Sequence, residues 1–318
     1  MAEWLVEEGI GEIRALLVEG DTVLASRLRW PAELHAGQTV EAKLVSRATG
    51  AKRGTALSAD GTEILLDRLP GDTSEGASFP VEITRAAIAE RGRYKRPLGR
   101  IAEPSPSLGM DPFSDARRVA RFAPGHWEAV WDAAWDASVA FPGGSLLFAV
   151  TPAMTVIDID GGLPPAKLAV AAVAPIARAL RQFDCGGSVG IDFPSLERKS
   201  DRKAVDAALG EALAGWPHER TAMNGFGFVQ IVSRLEGPSL LQRMANARVG
   251  MAARMAIRRA EMTNGTGPIL ALVAHPAIAA KFKPDWLAEL ARRTAKEVRV
   301  ESDPGIALNA AHAQMVER

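Results

Sequence analysis

Two short apolar runs that end in the same way constrain this chain more than any other feature. One is Thr155-Val156-Ile157-Asp158-Ile159-Asp160, followed by Gly161-Gly162. The other is Ser188-Val189-Gly190-Ile191-Asp192-Phe193, followed by Pro194. Both read as strands, and the segment between them, within residues 165–183, reads as a helix. If that helix is a crossover, the two strands run parallel. Asp158 and Asp192 then share a carboxyl edge, where open α/β sheets place their ligands. Asp160 lies two residues beyond Asp158, so both side chains point to the same face of the strand. Pro175 either kinks the helix or marks its start, and the sequence leaves both open.

Three carboxylates that converge repel one another unless a cation lies between them. A hard divalent ion such as Mg²⁺ suits them, held by one or two carboxylates, water and substrate phosphate. Such an ion activates water and neutralises charge building on a phosphodiester. Aspartates at strand ends also serve as caps and turn formers. The pattern by itself leaves these two readings side by side.

The alternation of strands and helices runs from residue 141 to about 240 and predicts a layered α/β core. Ahead of it, residues 12–20, 22–30, 39–47 and 61–69 alternate like half-buried strands with turn signals between them. They predict a β-rich unit over 1–102, a small sheet or a barrel whose closure the sequence does not decide. The Pro- and Ser-rich stretch 103–112 reads as a linker, and 114–138 as a helix with three core-anchoring tryptophans. The two make a linker-and-helix segment over 103–140. In the last unit, 241–318, one helix is expected from about 239 to 261. Leu240, Met244, Ala247, Met251 and Met255 form its apolar face, and Arg243, Arg248, Arg254, Arg258 and Arg259 a solvated one. A strand, a helical region near 276–293 and a strand at 297–302 follow. The expected class is mixed α+β and α/β.

Composition sets limits on partners. Among 318 residues, 38 basic side chains balance 38 acidic ones, so any nucleic-acid surface must come from local clustering. Cys185 is the only cysteine, so one chain builds neither a disulfide framework nor a cysteine zinc site. The opening residues lack the basic and apolar regions of a signal peptide. The longest apolar stretch, 168–180, is too short for a bilayer. A cytoplasmic protein with no membrane partner is expected.

Two basic clusters stand out. Arg91, Arg93, Lys95, Arg96 and Arg100 surround Tyr94, the only tyrosine; the run either tracks a single-stranded backbone with one stacked base or is a solvated loop. Arg198, Lys199, Arg202 and Lys203 follow Asp192 closely enough to hold phosphates flanking a cut. The Gly186-Gly187-Ser188-Val189-Gly190 run matches a nucleophile elbow in letters only, because its helix precedes the strand instead of following it. The five histidines show no metal-ligand spacing, and His218 and His275 read as caps or core-edge residues.

Several of these segments resemble the ribonuclease E/G family. Val156-Ile157-Asp158-Ile159-Asp160 is similar to the family's Ile-Asp-Ile-Asn strand. Leu180-Arg181-Gln182-Phe183-Asp184-Cys185-Gly186-Gly187, leading into Ile191-Asp192-Phe193, is similar to its second metal motif. Weaker likenesses lie at residues 12–20, Phe141-Pro142-Gly143-Gly144, 202–205, Phe226-Gly227 and Gly237-Pro238-Ser239-Leu240. The resemblance implies an endoribonuclease that cuts single-stranded RNA, leaving 5′-phosphate and 3′-hydroxyl ends. Asp158 and Asp192 would hold Mg²⁺, or Mn²⁺. Asp160 falls where the family has an asparagine that orients the first carboxylate, and Ser195 where it has a further acidic residue. These departures support the alternative of an RNA-binding protein that has lost cleavage. A hydrolase of small phosphate esters is a third reading. The family's Cys-Pro-x-Cys zinc link has no counterpart, and the segment that senses RNA 5′ ends is much shortened. No zinc, no zinc-linked dimer and little preference for a 5′-monophosphate are therefore expected.

Overall fold

The computed structural model describes residues 1–102 and 113–317. The expected linker at 103–112 lies outside the described residues. Strands β1 (Glu3–Gly9), β2 (Glu12–Glu19) and β3 (Thr22–Arg29) form an antiparallel meander. The next strands, β4 (Thr39–Arg47), β5 (Gly54–Ser58), β6 (Glu63–Leu66) and β7 (Ser78–Arg85), join β10 (Leu98–Ile101) in a closed barrel of order β10-β6-β5-β4-β7. The barrel is filled by Leu44, Ala56, Ile64, Leu66, Val81 and Ile83, all buried. Closure removes the free edges that an open sheet of this size would expose. It depends on Gly99, where an added Cβ would lie 2.5 Å from Val81 Cγ1.

The basic run at 91–100 is no loop. It supplies β9 (Arg93–Lys95), which pairs with β8 (Ile88–Glu90) in a hairpin beside the barrel, and then β10 itself. The helix expected over 114–138 is also shorter. Its first part is β11 (Arg117–Val119), parallel to β1, and α1 (His126–Asp136) begins only after Pro124-Gly125. Gly125, at φ 87°, sits in the left-handed region that glycine enters without steric cost. Trp127, Trp131 and Trp135 are buried as expected, the last two stacked with centroids 4.9 Å apart.

The next unit is a six-stranded sheet of order β12-β13-β14-β15-β17-β16. It comprises β12 (Ser138–Phe141), β13 (Gly144–Val150), β14 (Thr155–Gly161), β15 (Gly187–Asp192), β16 (His218–Arg220) and β17 (Phe228–Ser233). Helix α2 (Pro165–Gln182) connects β14 to β15, and α3 (Lys199–Ala212) follows β15. Pro175 is internal to α2, whose start is set by Pro164 and Pro165. Only β14 and β15 pair in parallel; the sheet is otherwise antiparallel. One face buries Leu146, Phe148, Ile157, Ile159, Val189, Ile191, Val229 and Ile231 within the main hydrophobic core. The other face stays open, with Leu147 43% and Val232 47% exposed.

The long helix expected at 239–261 is two helices, α4 (Leu240–Asn246) and α5 (Arg248–Glu261), broken at Ala247 (φ −136°, ψ 31°). Ser239 accepts from Gln242 N–H and caps α4. A three-stranded sheet of order β19-β18-β20 completes the fold: β18 (Ile269–Ala274), β19 (Glu297–Ser302) and β20 (His312–Val316). Between β18 and β19 lie α6 (Pro276–Ala279), capped by His275, and α7 (Pro284–Thr294). Among the described residues no helix is long and apolar enough to cross a membrane.

The arginines of α4 and α5 do not form a solvated face. Arg258 is 2% exposed and pairs with Glu7 at 3.0 Å and with Glu128. Arg14, 1% exposed, joins the same network through Glu7 (3.3 Å) and Glu12 (3.2 Å). Burial alone would raise the Glu7 carboxyl, but Arg14, Arg258 and the Phe122 N–H hold it below its ordinary value. Arg243 pairs with Glu33 at 2.8 Å, and its guanidinium lies 4.2 Å from the Trp30 ring centroid.

Candidate active site

Residues 155–161 alternate buried and open positions, so Ile157 and Ile159 enter the core while Asp158 and Asp160 stand on the open face. The parallel register sets Asp158 directly beside Asp192, across one β14–β15 step. Their Cα atoms are thus separated by roughly the interstrand spacing of 4.8 Å. On their flanks the same register places Leu147 next to Asp158 and Phe228 next to Asp192. Neither carboxylate forms a hydrogen bond or ion pair with a described residue. Asp160 stands one repeat further along, opposite Ser145. Among the described residues no three His, Cys, Asp or Glu side chains gather closely enough to hold a metal ion together. The arrangement is a free carboxylate pair, a donor set that suits Mg²⁺, which keeps several waters, better than a closed protein cage.

The helix-to-strand connection that delivers Asp192 explains the most specific motif in the sequence. Leu180 is in the core, and Arg181 donates to the carbonyls of Ala212 (3.3 Å) and Ala214 (3.0 Å), tying α2 to the end of α3. Asp184 adopts φ 50° as the helix ends. At Gly186 an added Cβ would meet the Arg234 carbonyl at 2.6 Å, so only glycine lets β15 enter at this height. Cys185 is buried; burial pushes its thiol well above the ordinary range and leaves it unreactive.

The cations expected at the site separate into two groups. Arg198, Lys199 and Lys203 are exposed and have no partner among the described residues. Arg202 is turned inward, donating to the carbonyls of Leu196 and Glu197 (3.1 Å), and braces the loop after Asp192. On the hairpin, Arg93 and Lys95 both pair with Glu90, and Arg96 pairs with Glu63 at 3.1 Å. Burial pushes Glu90 up, yet hydrogen bonds and charge from Lys95 and Arg93 hold it below its ordinary value. Tyr94 is largely exposed at the hairpin's edge, and Arg93 donates to the Pro152 carbonyl (3.3 Å) in the β13–β14 turn. The hairpin therefore touches the sheet that carries the aspartates. Phe226, which the sequence marks only through its family likeness, lies in the turn that enters β17 beside Asp192.

Paired, unengaged aspartates thus stand on the open face of a mixed α/β sheet, and exposed lysines follow them in the chain. The Ribonuclease E/G family model matches residues 122–234, from the end of the amino-terminal strands through β17. That match spans both aspartate strands, and over this segment the chain is similar to the ribonuclease E/G family.

Proposed function

We propose that this chain is a metal-dependent endoribonuclease that hydrolyses phosphodiester bonds in single-stranded RNA. The observation that carries this reading is the in-register pairing of Asp158 with Asp192 inside the segment matched to the family. A divalent cation, Mg²⁺ or Mn²⁺, bound by these two carboxylates supplies Lewis acidity toward the phosphate and a water activated at neutral pH. The chain's own residues do the rest. Asp160 adds negative charge one repeat along the strand and helps orient the Asp158 side. Arg198, Lys199 and Lys203 hold phosphates flanking the scissile bond, and Arg202 fixes the loop that carries them. The open sheet face leaves the carboxylate pair accessible to an extended strand. The barrel and its hairpin, with Tyr94, grip RNA further from the cut.

The test is cleavage of an end-labelled, A/U-rich single-stranded RNA in Mg²⁺, in Mn²⁺ and in EDTA, with Asp192→Asn alongside. Internal cuts that need metal and vanish in the variant are expected. Cuts that persist in the variant refute the site. Retention of RNA on a filter without any cut would favour the binding protein.

A further inference from the structure

We propose that Phe226 is the platform on which one base of the bound RNA stacks, at the nucleotide next to the phosphodiester that faces Asp158 and Asp192. The proposal rests on the endoribonuclease reading above and names how its substrate is seated. Phe226 is 86% exposed, in the turn that leads into the strand paired with Asp192. Its exposure does not come from a loose loop. Asn224 Oδ1 accepts from the backbone N–H of Phe226 at 2.9 Å and of Phe228 at 3.0 Å, and Gly227 N–H donates to the Asn224 carbonyl at 3.2 Å. Gly227 has φ 90°, and a Cβ there would sit 2.5 Å from the Phe193 carbonyl oxygen. The turn is clamped to the residue that follows Asp192, where Phe193 N–H donates to the Gly227 carbonyl at 3.2 Å.

Position gives the ring its ligand. Phe228 is in register with Asp192, and Phe226 is two residues before it, at most about 7 Å of backbone away. The Phe228 ring covers Gly190, two residues before Asp192, where an added Cβ would lie 2.5 Å from its Cζ, so the sheet face beside Asp192 is apolar on the side away from the turn. Helix α3 borders the same turn: Asp206 accepts from Met223 N–H at 3.0 Å. Lys203 and Lys199 lie one and two turns back along that helix stripe, both exposed. Carboxylates for a phosphate-bound cation, lysines for neighbouring phosphates and an exposed ring on a fixed turn for a base together match the parts of one nucleotide. Stacking on a ring tolerates every base, because every base has a π-face. The site should therefore require a base at this nucleotide without selecting which one.

The experiment compares wild type, Phe226→Ala, Phe226→Trp and Asp192→Asn on one short RNA and on a series with a single abasic nucleotide moved along it. Cleavage is followed by KM and kcat, and binding by 2-aminopurine fluorescence in the same RNA. Phe226→Ala should raise KM about tenfold, within the range of one lost base stack, with little change in kcat. Phe226→Trp should restore binding. One abasic position should cost wild type as much as Phe226→Ala does, and cost the variant nothing more. An unchanged KM, or losses that multiply at every position, overturns the proposal while the endoribonuclease reading stands. Cutting undiminished in Asp192→Asn defeats that reading instead; stacking fluorescence lost only in Phe226→Ala would then still support the ring. A variant that keeps RNA behaviour but changes its sedimentation assigns the ring to a protein contact and overturns the proposal. An RNA that wild type neither cuts nor binds overturns both.

Discussion

On α3 and the residue before it, Arg198, Lys199 and Lys203 reach solvent with no partner among the described residues. On α4 and α5, equally cationic in sequence, the arginines are engaged. Arg258 sits between Glu7 and Glu128, and Arg254 lies 3.7 Å from the Trp30 centroid and 4.8 Å from that of Trp286. Arg248 lies 3.7 Å from the Trp135 centroid, and Arg259 lies 5.7 Å from that of Trp131. Planar guanidinium groups stack on rings and fork onto carboxylates, whereas a lysine ammonium stays strongly hydrated. The cations of α4 and α5 join elements of the fold, while those at the start of α3 remain available to a phosphate. What a cation does is decided by what the fold brings to it.

The largest expected effect separates these roles. Arg258→Ala leaves Glu7 and Glu128 without their shared partner in a buried network and should cost about 3–5 kcal/mol, read by denaturant unfolding. RNA affinity per folded molecule should hold. A loss below about 1 kcal/mol would mean the buried network is not what fixes α5 in place.

The same network has an acid limb. Glu7 is held below its unfolded value, so its contribution is complete above the unfolded carboxyl range near pH 4.5 and is lost as pH falls through the lower folded value. Stability should therefore fall with acid below about pH 4.5, and Glu7→Gln should be less stable at pH 7 with a shallower acid limb. A variant whose acid limb matches wild type would show that other carboxylates govern it.

Replacing Lys199 and Lys203 together by alanine should leave folding within about 0.5 kcal/mol, as for exposed positions without partners. RNA binding should respond instead. If each lysine neutralises one phosphate, the slope of log affinity against log salt falls by about 1.4 for a single strand. An unchanged slope would remove α3 from the RNA track and collapse the contrast with α5.

The difference between the two helices also measures how far the sequence could be read. The pairing of Asp158 with Asp192 was legible, because strand, helix and strand periodicity together force a parallel neighbour. The three tryptophans of α1 were legible from apolar spacing. The role of the α5 arginines was not, because Glu7 and Trp30 lie more than 200 residues away in the chain and no local pattern announces them. The break at Ala247 was hidden for a related reason. Residues 239–261 keep one apolar stripe throughout, their weakest helix former, Gly250, lies inside α5 and not at the break, and the interruption shows only in the folded backbone. Barrel closure stayed open in the sequence because β5 and β10 are short and carry glycine, which weakens a strand signal.

The smallest expected effect lies on the hairpin, whose basic residues resemble those of α3 in composition and those of α5 in circumstance. Arg93 and Lys95 share Glu90, so the local charge that RNA would meet is already reduced. Replacing both by alanine should lower RNA affinity less than twofold, an effect of about 0.4 kcal/mol or less. The Glu90 carboxylate left behind would be unpaired, so Glu90→Gln is the sharper variant. It frees both cations, and RNA affinity at low salt should rise modestly, by the part of a phosphate contact that Glu90 now withholds. If Glu90→Gln leaves RNA affinity unchanged while Lys199→Ala lowers it, the hairpin contributes through Tyr94 or not at all. If both change affinity equally, the two basic segments belong to one track that runs from the barrel across the Pro152 contact to the aspartates.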